Sequence, residues 1–254
     1  MADISVFDGY GEISERRMEF MEGLLPELIS TSDLQTALDA GCGVGIFSQF
    51  LSDMGMKVTG FDARNENLAE AKRRYSHLSF KLWDVEDPRI PDRGSFDMVF
   101  CLGLLYHLEN PFRAIRNLSS MAKKVIVIES MVSPKSLPAA VLVDETPGPD
   151  QAIQNVAFVP TEACLIKMLY RAGFLHVYRP KKMPKHEDFR NTLRFRRRRT
   201  ILIASKENLS LAGFSQILEP KSIELWQRKG AELLHRFFKI LSKGVKRHFH
   251  TRSG

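Results

Sequence analysis

Residues 38–45 read Leu-Asp-Ala-Gly-Cys-Gly-Val-Gly, and acids follow at Asp62 and Asp84. Gly41, Gly43 and Gly45 lack a Cβ, so a loop built on them turns sharply and comes close to a ligand. A dinucleotide fingerprint spaces its glycines GxGxxG against a pyrophosphate. Here the third glycine comes one place early, and Ile46 stands where that fingerprint has glycine. Asp39, just before the glycines, would repel a pyrophosphate and instead suits a cationic amino group. Asp62, after Val58-Thr59-Gly60-Phe61, is placed to accept from both hydroxyls of a ribose. Asp84, in Leu82-Trp83-Asp84-Val85, can reach an adenine amino group. Cys42, Ala63, Val85, Cys101 and Leu102 flank these groups as further contacts of the same ligand.

A second group of residues suits an acceptor. His107 follows the apolar run Met98 to Leu102, and an imidazole that titrates near neutrality is a natural base for an oxygen or nitrogen nucleophile. The alternative for His107 is packing, or capping the turn that follows. Tyr106 would wall the acceptor site. Asp144 and Glu145 can orient an acceptor hydroxyl. Two adjacent acids without a spaced third ligand do not make a metal site, so no metal is expected. Three cysteines without a CxxC spacing form neither a disulfide framework nor a zinc site.

These residues need a scaffold that brings strand ends together. Thr36 to Leu38, Val58 to Phe61, Phe80 to Trp83, Met98 to Leu102 and Val125 to Ile128 are short apolar runs. Helical patterns at 46–54, 65–76 and 111–121 separate them. Such alternation predicts a parallel, doubly wound α/β sheet. An amphipathic helix is expected over 9–30, with Pro26 as a kink or break. After the fifth strand, a Pro-rich connection from Ser133 to Pro160 has the length of a lid or acceptor-site wall. A helix capped by Thr161 runs to Ala172 and ends at Gly173. Phe174 to Tyr178 and Thr200 to Ser205 complete a seven-stranded sheet. The expected division is a helical segment at 1–35, the α/β domain at 36–206 and a tail at 207–254.

With these residues, Asp39-x-Gly41-x-Gly43-x-Gly45, Asp62 and Asp84 resemble the signature of class I S-adenosylmethionine-dependent methyltransferases. The resemblance covers about residues 36–205 and implies a Rossmann-like fold with S-adenosyl-L-methionine as cofactor. It implies that Asp39 and the glycines face the methionine portion, Asp62 the ribose and Asp84 the adenine. Phe96 to His107, followed by Asn110-Pro111, is similar to a segment of the tRNA wobble-uridine carboxymethyltransferases. Asn155 to Thr161 and Arg199 to Lys206 are similar to that family too. This narrower likeness implies Tyr106 and Arg199 as ligands of a carboxylated cofactor or of the acceptor. That family carries a longer N-terminal region with a further lysine, for which this chain offers no evident counterpart.

Charge separates the chain into unequal parts. The 254 residues carry a formal charge of +7, with 44% hydrophobic and 26% charged residues. That composition and a mean hydropathy of −0.19 suit a globular chain rather than a disordered or membrane-embedded one. The first residues lack the basic and apolar regions of a secretory signal, so a cytoplasmic location is expected. Residues 179–254 hold 20 Lys and Arg against 6 Asp and Glu. Such a basic third points to an anionic partner, tRNA or a lipid surface, or is simply a solvated face. Within 221–252, Ile223, Trp226, Leu233 and Phe237 mark one apolar face of a basic helix. That face either packs on protein or lies on an anionic membrane.

The leading expectation is therefore methyl transfer to an oxygen or nitrogen of a small molecule or glycan, lipid-linked acceptors included. The alternatives are a tRNA-modifying methyl- or carboxymethyltransferase and a non-catalytic binding module of the same fold. An exposed face made by Arg196 to Arg199 and residues 181–194 beside the cofactor cleft would favour tRNA.

Overall fold

The computed structural model describes residues 11–146, 148, 151–191 and 197–221. The basic helix expected within 221–252 lies outside them apart from Lys221, as do Arg194 and Arg196. The chain divides into two compact units, Met1–Pro220 and Lys221–Gly254.

The first unit is an α/β sheet with its elements in the expected order. Strands β1 (Thr36–Ala40), β2 (Lys57–Asp62), β3 (Ser79–Leu82), β4 (Phe96–Leu102) and β5 (Ala122–Met131) pair in parallel. Helices α2 (Ile46–Asp53), α3 (Asn65–Arg74) and α4 (Pro111–Met121) lie between them in the chain. Beyond β5, strands β8 (His176–Pro180), β9 (Arg199–Ser205) and β10 (Phe214–Gln216) extend the sheet. The spatial order is β10-β8-β9-β5-β4-β1-β2-β3, with β9 antiparallel to both β5 and β8.

Two details differ from the sequence expectation. The sheet has eight strands rather than seven, because β10 adds an antiparallel edge to β8. Three residues are too few for a period-two pattern to register, and only pairing with β8 defines the element. The connection 133–160 also carries regular structure. Strands β6 (Ala140–Asp144) and β7 (Val156–Pro160) form a separate antiparallel hairpin.

The apolar runs are continuous because both sheet faces are covered. On β4 and β5, Met98, Phe100, Val125 and Val127 point to a layer containing Met21, Leu25, Leu28 and Leu51. Val99, Cys101, Ile126 and Ile128 point the other way, against Ile115, Leu118, Leu165 and Leu169. The first layer belongs to α1 (Gly11–Ser32) and α2, the second to α4 and α5 (Glu162–Arg171). Helix α1 runs through Pro26 without interruption. Thr161 caps α5, its hydroxyl oxygen accepting from Cys164 N at 3.1 Å.

Candidate active site

The chain leaves β1 toward β2 and β3 on one side and returns to β4 on the other. The crevice at such a reversal, at the carboxyl ends of the strands, is where open α/β sheets bind ligands. A cavity of about 1600 Å³ opens there. Its wall includes Gly41, Cys42 and Gly43 after β1, Asp62 and Ala63 after β2, and Asp84 and Val85 after β3. Leu102, Tyr106 and His107 come from the end of β4, Glu145 from the β6–β7 hairpin and Arg199 from β9.

The glycine loop is fixed from β2. Phe61 O accepts from both Gly41 N and Cys42 N at 2.9 Å. Asp62 Oδ2 accepts from Gly43 N at 2.9 Å, while Oδ1 accepts from Arg64 N at 2.8 Å and Asn67 Nδ2 at 3.3 Å. Gly41 has φ +71, and a Cβ there would lie 2.9 Å from Leu104 Cδ1. Asp62 thus holds the loop to the start of α3 and keeps one lone pair, on Oδ2, for a ligand. Burial raises its carboxyl above the ordinary range, and the backbone donors partly oppose this.

Asp39 is buried beneath the loop and accepts from Ser48 Oγ at 2.6 Å. Desolvation pushes it up to about 7, against the Ser48 hydrogen bond. Asp39, Gly45 and Cys101 are not among the residues that line the cavity. Cys101 is wholly buried between the sheet and its helices. Burial raises both the Cys42 and Cys101 thiols, so neither is a ready nucleophile. Asp84 Oδ1 accepts from Glu86 N at 2.8 Å. Asp144 is exposed at the end of β6 and takes no part in the cavity wall.

His107 sits in a 3-10 turn, Leu105–His107, directly after β4. Its Nδ1 lies 2.8 Å from Glu145 Oε2 and 3.0 Å from Oε1. Glu145 is held in turn by Ala152 N, which donates to Oε2 at 2.5 Å. The tip that carries Ala152 is tied to the cofactor side, where Arg64 Nη2 donates to Gln151 O at 2.7 Å.

Behind Tyr106 lies a buried charge cluster. Glu129, at the end of β5, places Oε1 3.0 Å from Arg199 Nη1 and Oε2 2.9 Å from Arg17 Nη2. Arg199 Nη2 is also 3.4 Å from Tyr106 Oη, and its Nε is 3.5 Å from Asp188 Oδ2. Burial pulls the Arg199 guanidinium down, but Glu129 and Tyr106 outweigh it and hold the pKa above its ordinary value. Arg17 reaches the cluster from α1 over Gly103, where a Cβ would come within 3.3 Å of its Nη1.

Sequence reasoning did not select Arg17. The signal was available, because Arg17 shares a helical stripe with Met21, Leu24 and Leu28, all of them buried. A charge on an apolar stripe needs a buried partner. Among the described basic residues of 179–199, Arg199 alone lines the cavity. Arg197 pairs with Glu162, which also meets Arg179 at 3.3 Å. Lys181, Lys182, Lys185, Arg190 and Arg198 are exposed.

Among the described residues, no group of three His, Cys, Asp or Glu side chains is placed to hold a metal ion. No helix there is long and apolar enough to cross a membrane.

With this geometry, comparison with known proteins identifies the domain. Residues 38–125 match the family described as a methyltransferase domain. Over those residues the chain carries a methyltransferase domain. The relatives of this methyltransferase domain include curated proteins of two kinds. It is similar to a tRNA U34 carboxymethyltransferase of Actinobacillus succinogenes, 32% identical over 172 residues, which is 64% of this chain and 52% of that protein. It is also similar to a ubiquinone biosynthesis O-methyltransferase of Xanthomonas campestris pv. campestris, 34% identical over 91 residues. That match takes in 34% of this chain and 38% of the relative, so the chain spans about a third to a half of these relatives' length. In structure it resembles the N-terminal domain of EvdMO1 with SAH bound, at a TM-score of 0.59 and 20% identity. That likeness covers 77% of this chain and 81% of the other. Magnesium protoporphyrin IX methyltransferase from Synechocystis PCC 6803 with bound SAM gives 0.53 at 21% identity, covering 77% and 82%. These likenesses show the methyltransferase fold.

Proposed function

We propose that the chain is an S-adenosylmethionine-dependent methyltransferase acting on an oxygen or nitrogen of a small molecule or glycan, with lipid-linked acceptors included. The observation that carries this reading is the His107–Glu145 pair on the wall of the same cavity as Gly41, Gly43, Asp62 and Asp84. The residues suit the cofactor: a glycine loop for close backbone approach, Asp62 with a lone pair on Oδ2 for a hydroxyl, and Asp84 for an amino group. Asp39 can answer a positive charge through the loop. A volume of about 1600 Å³ exceeds the roughly 300–1,000 Å³ of ordinary ligand pockets and leaves room for an acceptor beside the cofactor.

S-adenosylmethionine, when bound, supplies a methyl group on a sulfonium. The chain's own residues do the rest. Glu145 accepts from Nδ1 of His107, which leaves Nε2 as the lone-pair nitrogen able to take an acceptor proton. Tyr106, whose ring is tilted 47° to that of His107 with centroids 4.1 Å apart, limits how that imidazole can turn. The hairpin loop adds Glu145, Gln151, Ala152, Ile153 and Gln154 to the cavity wall.

A second reading, tRNA modification by methyl or carboxymethyl transfer, has one specific support. Arg17 and Arg199 share the buried carboxylate of Glu129, with Asp188 3.5 Å from Arg199 Nε, and the Arg199 guanidinium beside Tyr106 on the cavity wall suits a carboxylate on the cofactor or an anionic acceptor. The experiment that separates the readings uses methyl-labelled S-adenosylmethionine and an extract of the native host, divided afterwards into RNA, lipid and small-molecule fractions. Label in lipid or small molecules supports the first reading. Label in digested tRNA replaces it with the second.

A further inference from the structure

The peptide unit between Gln151 and Ala152 is held at both of its polar ends. Arg64 Nη2 donates to Gln151 O at 2.7 Å, and Ala152 N donates to Glu145 Oε2 at 2.5 Å. In a trans peptide the carbonyl and the N–H lie in one plane and point in opposite directions, so a donor that fixes the oxygen also aims the N–H. A guanidinium on the carbonyl further polarises the amide, which strengthens the N–H as a donor to the carboxylate.

Glu145 passes that constraint on. Its Oε2 takes the Ala152 N–H and also lies 2.8 Å from His107 Nδ1. The loop has a frame of its own: Glu145 N donates to Asn155 O at 2.9 Å, and Asn155 N to Ala152 O at 3.1 Å. Arg64 adds a tie from outside the hairpin. It stands between β2 and α3, and its backbone N donates to Asp62 Oδ1 at 2.8 Å. Arg64, Asp62, Gln151 and Glu145 all line the cavity. One residue thus connects the acid proposed for the ribose to the loop that holds the proposed base.

We propose that Arg64 is a positioning residue for the transfer step: by holding the Gln151–Ala152 peptide, it keeps Glu145 on Nδ1 of His107, so that Nε2 presents its lone pair to the acceptor. This rests on the reading of His107 as the base. Arg64 acts through Glu145, so its loss should undo part of what Glu145 does to the imidazole and nothing beyond that.

The test reads the imidazole directly, by nitrogen NMR of the full chain with isotope-labelled histidine, at about pH 8 where imidazoles are mostly neutral. His107→Ala assigns the signals, and S-adenosylhomocysteine binding is measured on the same preparations. The unsubstituted chain should carry the His107 proton on Nδ1. Arg64→Met keeps the aliphatic stem and removes the donors, and it should raise the ratio of Nε2–H to Nδ1–H about fivefold, the equivalent of one hydrogen bond lost. Arg64→Lys should restore most of the change, because an ammonium can still donate to Gln151 O. In a Glu145→Ala background, Arg64→Met should add nothing further. S-adenosylhomocysteine affinity in Arg64→Met should change by less than about threefold, since the backbone N–H that meets Asp62 is kept. An unchanged ratio in Arg64→Met, with S-adenosylhomocysteine bound normally, overturns the role of Arg64 alone. An equal shift in the Glu145→Ala background also overturns it, because Arg64 would then reach His107 by another route. A proton on Nε2 in the unsubstituted chain removes the His107–Glu145 pairing and the proposal with it. Failure to bind S-adenosylhomocysteine removes the methyl-transfer reading and this inference with it.

Discussion

His107 Nδ1 lies 2.8 Å from Glu145 Oε2, although 38 positions separate the two residues. One stands at the end of a central strand and the other at the mouth of an added hairpin. The pairing orients the imidazole and holds the hairpin loop on the same cavity wall as the end of β4.

His107→Ala should therefore lower turnover about 100-fold or more, the scale of a lost general base. Affinity for S-adenosylhomocysteine should stay nearly unchanged, because the role proposed for His107 is toward the acceptor. Glu145→Gln keeps a hydrogen-bond acceptor but removes the charge, and a smaller loss of about tenfold is expected. Steady-state kinetics with calorimetry on each variant checks both. Full turnover in His107→Ala contradicts its role as base.

Asp62→Ala removes the carboxylate proposed to meet the ribose and also leaves Gly43 N without its partner. Cofactor affinity should fall about 10- to 100-fold, the effect of losing charged hydrogen bonds worth roughly 1.5–3 kcal/mol. Calorimetric titration with S-adenosylhomocysteine reads this directly.

Asp39 holds its proton up to about pH 7 in the fold, whereas an unfolded aspartate loses it near 3.8. Between those values the native state binds more protons than the unfolded one, so this residue makes stability fall as pH rises from about 4 to 7. Asp39→Asn should flatten that fall and make the ligand-free chain more stable at pH 8, by an amount on the order of a few kcal/mol. Denaturant melts of both forms at pH 5 and 8 test it. If the carboxylate serves the cofactor's cation, the same variant should bind S-adenosylmethionine more weakly.

Glu129 is the shared counterion of Arg17 and Arg199. Glu129→Gln leaves the buried Arg17 guanidinium without its countercharge and Arg199 with Asp188 alone, and should cost about 3–5 kcal/mol. Chemical denaturation measures the loss. A loss within about 0.5 kcal/mol would mean that water or Asp188 already compensates the arginines.

Much of this arrangement was legible in the residues. The seven expected strands are all present because buried strands leave apolar runs that no solvent-facing element needs. The loop Gly41 to Gly45 and the acid Asp62 come together because both sit at strand ends, and strand ends converge in a parallel sheet. Long-range pairings left no local trace. The chain pattern around Glu145 is that of a polar loop, and nothing near it names His107 as its partner. Arg17 carried a signal of a different kind, a charge placed among buried methionine and leucines, which only a buried partner explains. Strand β10 is too short to have a period at all.

The most direct test of the central claim is calorimetric titration of the full chain with S-adenosylmethionine and S-adenosylhomocysteine. The account predicts one site with a dissociation constant of about 100 μM or tighter, corresponding to about −5.5 kcal/mol or better, and weaker binding in Asp62→Ala. No heat and no shift in melting temperature at about 1 mM of either ligand, where even a millimolar site would be half filled, would contradict it.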